Sequence, residues 1–323
     1  MIPYALALNA LLVVTVALAA FYLSRFTMAR PPVGKFVGAD IAVMVVVLVA
    51  MPFVYLNIPV PLVVTIFGLM MFTVVQLTLA PVIGGRAAAV TAVAVCAADI
   101  GAYFLGWDLA LLVLNDLVLV TLVVGAVNMW VQVAMTPAQV AALAAALTVY
   151  DTLATGLTSL TSDFVARLDG LPFAPMMATR YGQDPSFTGL GDCLMLALWP
   201  LVALRAYGRR AAWWAAGLAG ALIVISTGFV LAGGGPVPLL SILGPLIVAQ
   251  WLFWRRWKAA RTHAPVRFEV DQSLTAVPAT VPGAWVALSQ GVPVAEGATP
   301  GQARRAYRQA GLDGTPVVIR VVE

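Results

Sequence analysis

Apolar residues fill nine runs along the chain, at 4–24, 37–56, 60–80, 87–106, 109–134, 138–162, 187–205, 211–232 and 236–257. Each is long enough to cross the bilayer core as a helix. Pro61, Pro81, Pro137, Pro185 and Pro236 stand at run ends, where proline belongs. No positively charged stretch precedes the run from Tyr4, so it reads as a first span and not as a signal peptide. The pattern predicts an all-α polytopic membrane protein with nine transmembrane helices over 1–258.

After His263 the pattern changes. Residues 259–282 read as a linker containing Pro265 and Pro278 and ending at Pro282. The apolar stretches 284–288 and 292–295 flank Ser289-Gln290-Gly291, a hairpin signal. Thr299 can cap a helix with Pro300 at its first position, Gly311 can end it, and Val317–Val321 is a third strand. Residues 283–323 are thus expected to form a small soluble ββαβ module. It has no catalytic constellation and reads as a docking or regulatory appendage, with a partner that the sequence does not name.

Composition agrees with a membrane assignment. The chain is 62% hydrophobic and 10% charged, against about 25% charged for soluble domains. A net charge of +4 is no nucleic-acid signal, because the basic residues flank apolar runs. Arg25, Arg30, Lys35, Arg86, Arg205, Arg209, Arg210, Arg255, Arg256, Lys258 and Arg261 fall on one side of a nine-span arrangement, and Arg167 and Arg180 on the other. The bias predicts an outside N-terminus and a cytoplasmic C-terminus. Cys96 and Cys193 lie in apolar runs and imply neither a disulfide nor a metal framework.

The available chemistry is narrow. The single His, His263, and all the Glu residues, Glu269, Glu296 and Glu323, follow the last run. No base is left in the spans for a serine nucleophile, and no HExxH zinc site exists. Asp99, Asp116, Asp151 and Asp192 remain, and an ionisable residue at membrane depth marks a functional site by default. Asp99 and Asp116 read as lying near water or paired with neighbours, Asn115 in the case of Asp116. Asp151 lies about 13 residues after Ala138, and Asp192 about 13 before Arg205. Consecutive spans run in opposite directions, so both carboxylates sit roughly 20 Å from the same side. Two such carboxylates share a proton, one activating water while the other donates to a peptide carbonyl. Gly189 and Gly191 flank Leu190 just before Asp192 and permit close, non-helical backbone there. Gly233-Gly234-Gly235-Pro236 precedes Pro238-Leu239-Leu240, whose prolines are expected to keep the first turn of the last run irregular.

Tyr150-Asp151, Gly189-Leu190-Gly191-Asp192 and Pro238-Leu239-Leu240, with Pro245 following, together resemble the YD, GxGD and PAL motifs of the GxGD intramembrane aspartyl proteases, the presenilin and signal peptide peptidase family. Asn115-Asp116 resembles an Asn-rich pair of its compact prokaryotic members. Leu239 replaces the PAL alanine, and the short 163–186 loop lacks the long insertion of presenilin. The resemblance implies catalytic Asp151 and Asp192, substrate contacts from Gly189, Leu190, Gly191, Pro238, Leu239 and Leu240, and Tyr150 in support. It implies no cofactor and no metal. The substrates would be transmembrane segments or leftover signal peptides in a prokaryotic cell membrane. Other readings of buried carboxylates remain: a proton-coupled transporter, or a silent relative that only binds membrane segments.

Overall fold

The structure, a computed structural model, describes residues 2–28, 38–180, 186–232, 238–262, 284–289, 292–310 and 317–320. Two compact units, Met1–Ala259 and Ala260–Glu323, divide the chain. The first is built from helices α1 (Ile2–Arg25), α2 (Gly38–Asn57), α3 (Val60–Ile83), α4 (Gly85–Phe104), α5 (Asp108–Gln132), α6 (Pro137–Asp151), α7 (Leu160–Leu168), α8 (Leu190–Tyr207), α9 (Arg209–Leu231) and α10 (Leu239–Thr262). A π-helical segment, Thr152–Leu157, continues α6, and a hairpin of β1 (Met176–Arg180) and β2 (Ser186–Gly189) precedes α8.

Among the described residues eight helices are long and apolar enough to cross a membrane: α1 to α5, α6 taken together with its π-helical continuation, α8 and α9. The ninth apolar run folds as α10. It contains Pro245 and Gln250 and ends in Arg255, Arg256, Lys258 and Arg261, which lower its hydropathy. Large apolar side chains such as Leu6, Val46, Leu69, Val90 and Val224 point outward, more than half exposed. Such a surface suits lipid and would drive a water-soluble protein to aggregate.

α5 is the hub, the most buried of the eight. Contact with its neighbours depends on small and polar groups, as expected where lipid offers no hydrophobic drive between helices. Gly125 abuts Thr78 of α3 so closely that a Cβ would lie 1.7 Å from its hydroxyl. The buried Asn128 amide donates to the Ala19 carbonyl of α1 at 3.0 Å. Tyr22 donates to the Thr78 carbonyl at 2.8 Å. These contacts fix α5, which in turn fixes the polar residues at its other end.

Two boundaries differ from the sequence expectation. The run 138–162 is not one helix, because α6 gives way at Thr152 to the π-helical segment and then to the separate α7. The 163–186 stretch is not a simple loop between spans. Leu168, Phe173, Ala174, Met176, Met177 and Ala178 are all buried in the core of the bundle.

In the second unit β3 (Trp285–Ser289), β4 (Val292–Gly297) and β5 (Val317–Arg320) form an antiparallel sheet in the order β4-β3-β5. Helix α11 (Pro300–Gln309) packs on it through Ala303 and Tyr307, against Ala287. Thr299 caps α11, accepting from the Gln302 amide at 3.3 Å. Residues 263–283, Gln290-Gly291 and Gly311 lie outside the described residues.

Candidate active site

Thr136 and Gln139 form a reciprocal capping box that starts α6 with Pro137 at its first position. Asp151 is the last residue of that helix, 14 positions beyond Pro137. Asp192 is the third residue of α8, which runs a further 15 positions to Tyr207. At 1.5 Å per residue the two carboxylates stand roughly 22 Å from the opposite ends of their helices. α6 and α8 pack together.

Asp151 receives donors at both oxygens. The Thr155 hydroxyl donates to Oδ1 at 2.9 Å. The Ser241 amide donates to Oδ2 at 3.1 Å, and the Ser241 hydroxyl lies 3.4 Å from the same oxygen. The partly buried Asp192 faces the backbone amides of Gly189 and Leu240 and lies within electrostatic range of Asp151. The Gly189 contact is ordinary helix capping, since an acidic residue at the third position reaches back to the cap amide. Capping explains neither the Leu240 amide, which comes from another helix, nor the nearness of Asp151.

The two aspartates thus meet consecutive amides, Leu240 and Ser241, in the first turn of α10. Amides in a first turn have no carbonyl four residues back within the helix and attract anions. α10 begins only at Leu239, after the non-helical Pro238, whose carbonyl accepts from the Ser241 amide at 3.1 Å in an i→i+3 turn. This turn at the helix start aims the Ser241 amide at Asp151 as well. Pro245, one turn on, has no N–H to give the Ser241 carbonyl. Residues 233–237, with the glycine run and Pro236, lie outside the described residues.

α10 is held close to α6 by one glycine. A Cβ on Gly244 would lie 1.8 Å from the Thr148 hydroxyl and 2.7 Å from the Ala144 carbonyl. Thr148 donates to that carbonyl at 2.8 Å and stands 3.3 Å from the Leu240 carbonyl. The Thr152 hydroxyl is 2.8 Å from the Ser241 hydroxyl. Thr148, Thr152, Thr155 and Ser241 therefore line the Asp151 side of the site with hydroxyls. Sequence reasoning missed them. Their signal was present, since Thr148, Asp151, Thr152 and Thr155 share one helix face at i, i+3, i+4 and i+7.

Gly189 ends β2 in an extended, non-helical conformation, and Gly191 lies inside α8. Neither Gly189 nor Gly191 has a positive φ. Gly189 matters for space, because a Cβ there would lie 3.3 Å from Asp192 Oδ2. At Gly191 the nearest foreign atom would be Leu240 Cδ1 at 3.6 Å, an ordinary contact. Leu190 donates its amide to the Pro175 carbonyl at 3.0 Å, which ties α8 to the segment before β1. Leu239 and Pro238 are partly buried at the start of α10, Leu240 is buried, and Tyr150 lies partly buried beside Asp151.

Asp99 and Asp116 are not at the dyad. Asp99 is fully buried and accepts from the Phe173 amide at 3.0 Å, and Asp116 accepts from the Ala178 amide at 3.0 Å. Asn115 donates to the carbonyls of Ala174 and Met176 at 3.1 and 3.3 Å. Asn115 and Asp116 thus each bind the backbone around β1. Irregular backbone at membrane depth needs such partners. Phe173 has φ +61°, rare for a side-chain-bearing residue, and its ring fills the space that a Cβ on Gly68 would need. These anchors fix the hairpin that ends at Gly189. Cys193 is buried within electrostatic range of both Asp192 and Asp116. Among the described residues no set of three or more His, Cys, Asp or Glu side chains could hold a metal ion. No family model, curated protein or solved structure matches the chain.

Proposed function

We propose that this protein is an intramembrane aspartyl endopeptidase that cuts transmembrane segments or leftover signal peptides. The observation that carries the reading is the meeting of Asp151 and Asp192 at the consecutive amides of Ser241 and Leu240. In the singly protonated pair, one carboxylate takes a proton from water as its oxygen attacks the scissile carbonyl. The other donates its proton to the carbonyl oxygen. The tetrahedral intermediate collapses as the amide nitrogen takes up a proton and the C–N bond breaks, leaving an acid, an amine and the pair with its single proton. The proton belongs to the pair, not to either residue.

A helical substrate must be extended before it is cut. The Ala178 amide and Met176 carbonyl point away from β2, toward Asp116 and Asn115. One edge of the hairpin is therefore occupied by α5. The other edge, β2, is the place for an extended substrate strand, as in strand addition elsewhere. It leads directly to Asp192. In this reading α10 is the ninth span, the N-terminus is outside and the C-terminus cytoplasmic in a prokaryotic cell membrane, and the second unit serves as a docking appendage.

Reconstituted protein given a labelled transmembrane peptide should cleave it, with a rate that falls at both acidic and alkaline extremes. Asp151→Ala and Asp192→Ala should each lower the rate by about 100- to 10,000-fold, the range for losing a general acid or base. Equal cleavage by wild type and either variant would refute the proposal.

A further inference from the structure

A second site lies away from the dyad, between α9 and α10. Both helices lean on α8: α9 packs along it, and Gln250 of α10 accepts from the Trp199 indole of α8 at 3.1 Å. Between them is a cavity of about 480 Å³. Leu218, Phe253 and Trp254 give it apolar walls, and Arg210 with Trp214 and Trp257 line it as well. Arg210 and Trp214 are exposed, so the groove opens outward from the bundle.

Its charge is one-sided. Arg209 and Arg210 begin α9, and Arg255, Arg256 and Lys258 stand near the end of α10. Neither helix contains an Asp or Glu. The cations and the tryptophans share one level, where indoles sit at a membrane's headgroup region. An apolar slot of this volume takes a hydrocarbon chain. A basic rim between membrane helices takes a phosphate headgroup. A zwitterionic headgroup would bring a cation with no carboxylate on either helix to meet it.

We propose that the α9–α10 groove binds one anionic phospholipid, with an acyl chain between Leu218 and Phe253 and its phosphate on Arg210. The site stands apart from the proposed protease chemistry and does not depend on it.

The test uses the full chain, exchanged into micelles holding equal amounts of phosphatidylglycerol and phosphatidylcholine. Retained lipid is counted by native mass spectrometry after detergent washing. Wild type should retain one phosphatidylglycerol in preference to phosphatidylcholine. Arg210→Gln should lower that preference about fivefold, the ratio expected for one arginine near a headgroup. Arg210→Lys should keep it, and Arg86→Gln, at the start of α4 and outside the groove, should leave it unchanged. Trp214→Ala, at an exposed position, should reduce retention of either lipid. Equal retention of both lipids by wild type would mean an ordinary lipid annulus and overturn the proposal. So would an Arg210→Gln protein that retains phosphatidylglycerol as wild type does.

Discussion

Gly189 is separated from the Asp192 carboxylate by less space than a methyl group normally needs, 3.3 Å from a built Cβ to Oδ2. Its φ of −65° would suit any residue, so alanine should fold there without backbone strain. The methyl would displace the carboxylate by a few tenths of an ångström. Small misplacements of a reacting group are costly when geometry supplies much of the rate. Gly189→Ala should therefore lower kcat about tenfold while melting within a few degrees of wild type, whereas Gly191→Ala should be far milder. Side-by-side peptide cleavage and thermal melts read both quantities, and equal kcat values for the two variants would contradict this account.

The contact between α6 and α10 is set by Gly244, and the aim of the Leu240 and Ser241 amides depends on it. Gly244→Ala inserts a methyl where Thr148 and the Ala144 carbonyl already lie. Overpacking of this kind costs about 1–3 kcal/mol, and relief by separating the helices would pull both amides from the aspartates. Loss of cleavage together with a lowered melting temperature is expected. A variant as stable and active as wild type would show that α10 does not position the dyad. The hairpin makes a different prediction. Ala178 pairs with Phe187, and the Ala178 amide turns away from β2 toward Asp116. In an antiparallel ladder the Phe187 amide then also turns away, toward the outer edge. Phe187→Pro should preserve the hairpin and remove one edge donor. Relative to Phe187→Ala, it should raise KM about fivefold, the worth of one net hydrogen bond of about 1 kcal/mol. Identical KM values for the two variants would exclude β2 as the substrate edge.

At this scale the limits of the sequence are plain. Apolar run length located the long helices because lipid imposes a minimum span. The acidic motifs stood out because so few charged residues occur in these runs. Run length could not reveal where α6 stops, since Leu153, Ala154 and Leu157 are as apolar as the helix before them. It also could not reveal that 168–178 folds inward. That depends on partners distant in the chain, Asp99 and Asn115-Asp116, which look like isolated polar residues until the segment that they bind is in place. Phe173, with its positive φ, carries no sequence signal at all.

For the whole molecule, the proposed protease activity makes topology the selector of substrates. If loop charge sets orientation, the segment presented to β2 lies across the dyad in one chain direction only, with a cytoplasmic N-terminus. A reporter fused after Glu323 should be cytoplasmic, and matched peptides of opposite orientation should be cut unequally in vesicles. An external reporter would reverse the substrate preference and leave the chemistry untouched.

The buried stretch 168–178 also has a consequence for biogenesis. Its backbone amides and carbonyls would be intolerable in lipid by themselves. They need a receptor, and that receptor is already synthesised: Gly68 and Asp99 belong to α3 and α4, Asn115 and Asp116 to α5. A ribosome delivers these helices to the membrane before the segment emerges. Residues 68–116 thus hold the partners of this stretch before it is synthesised.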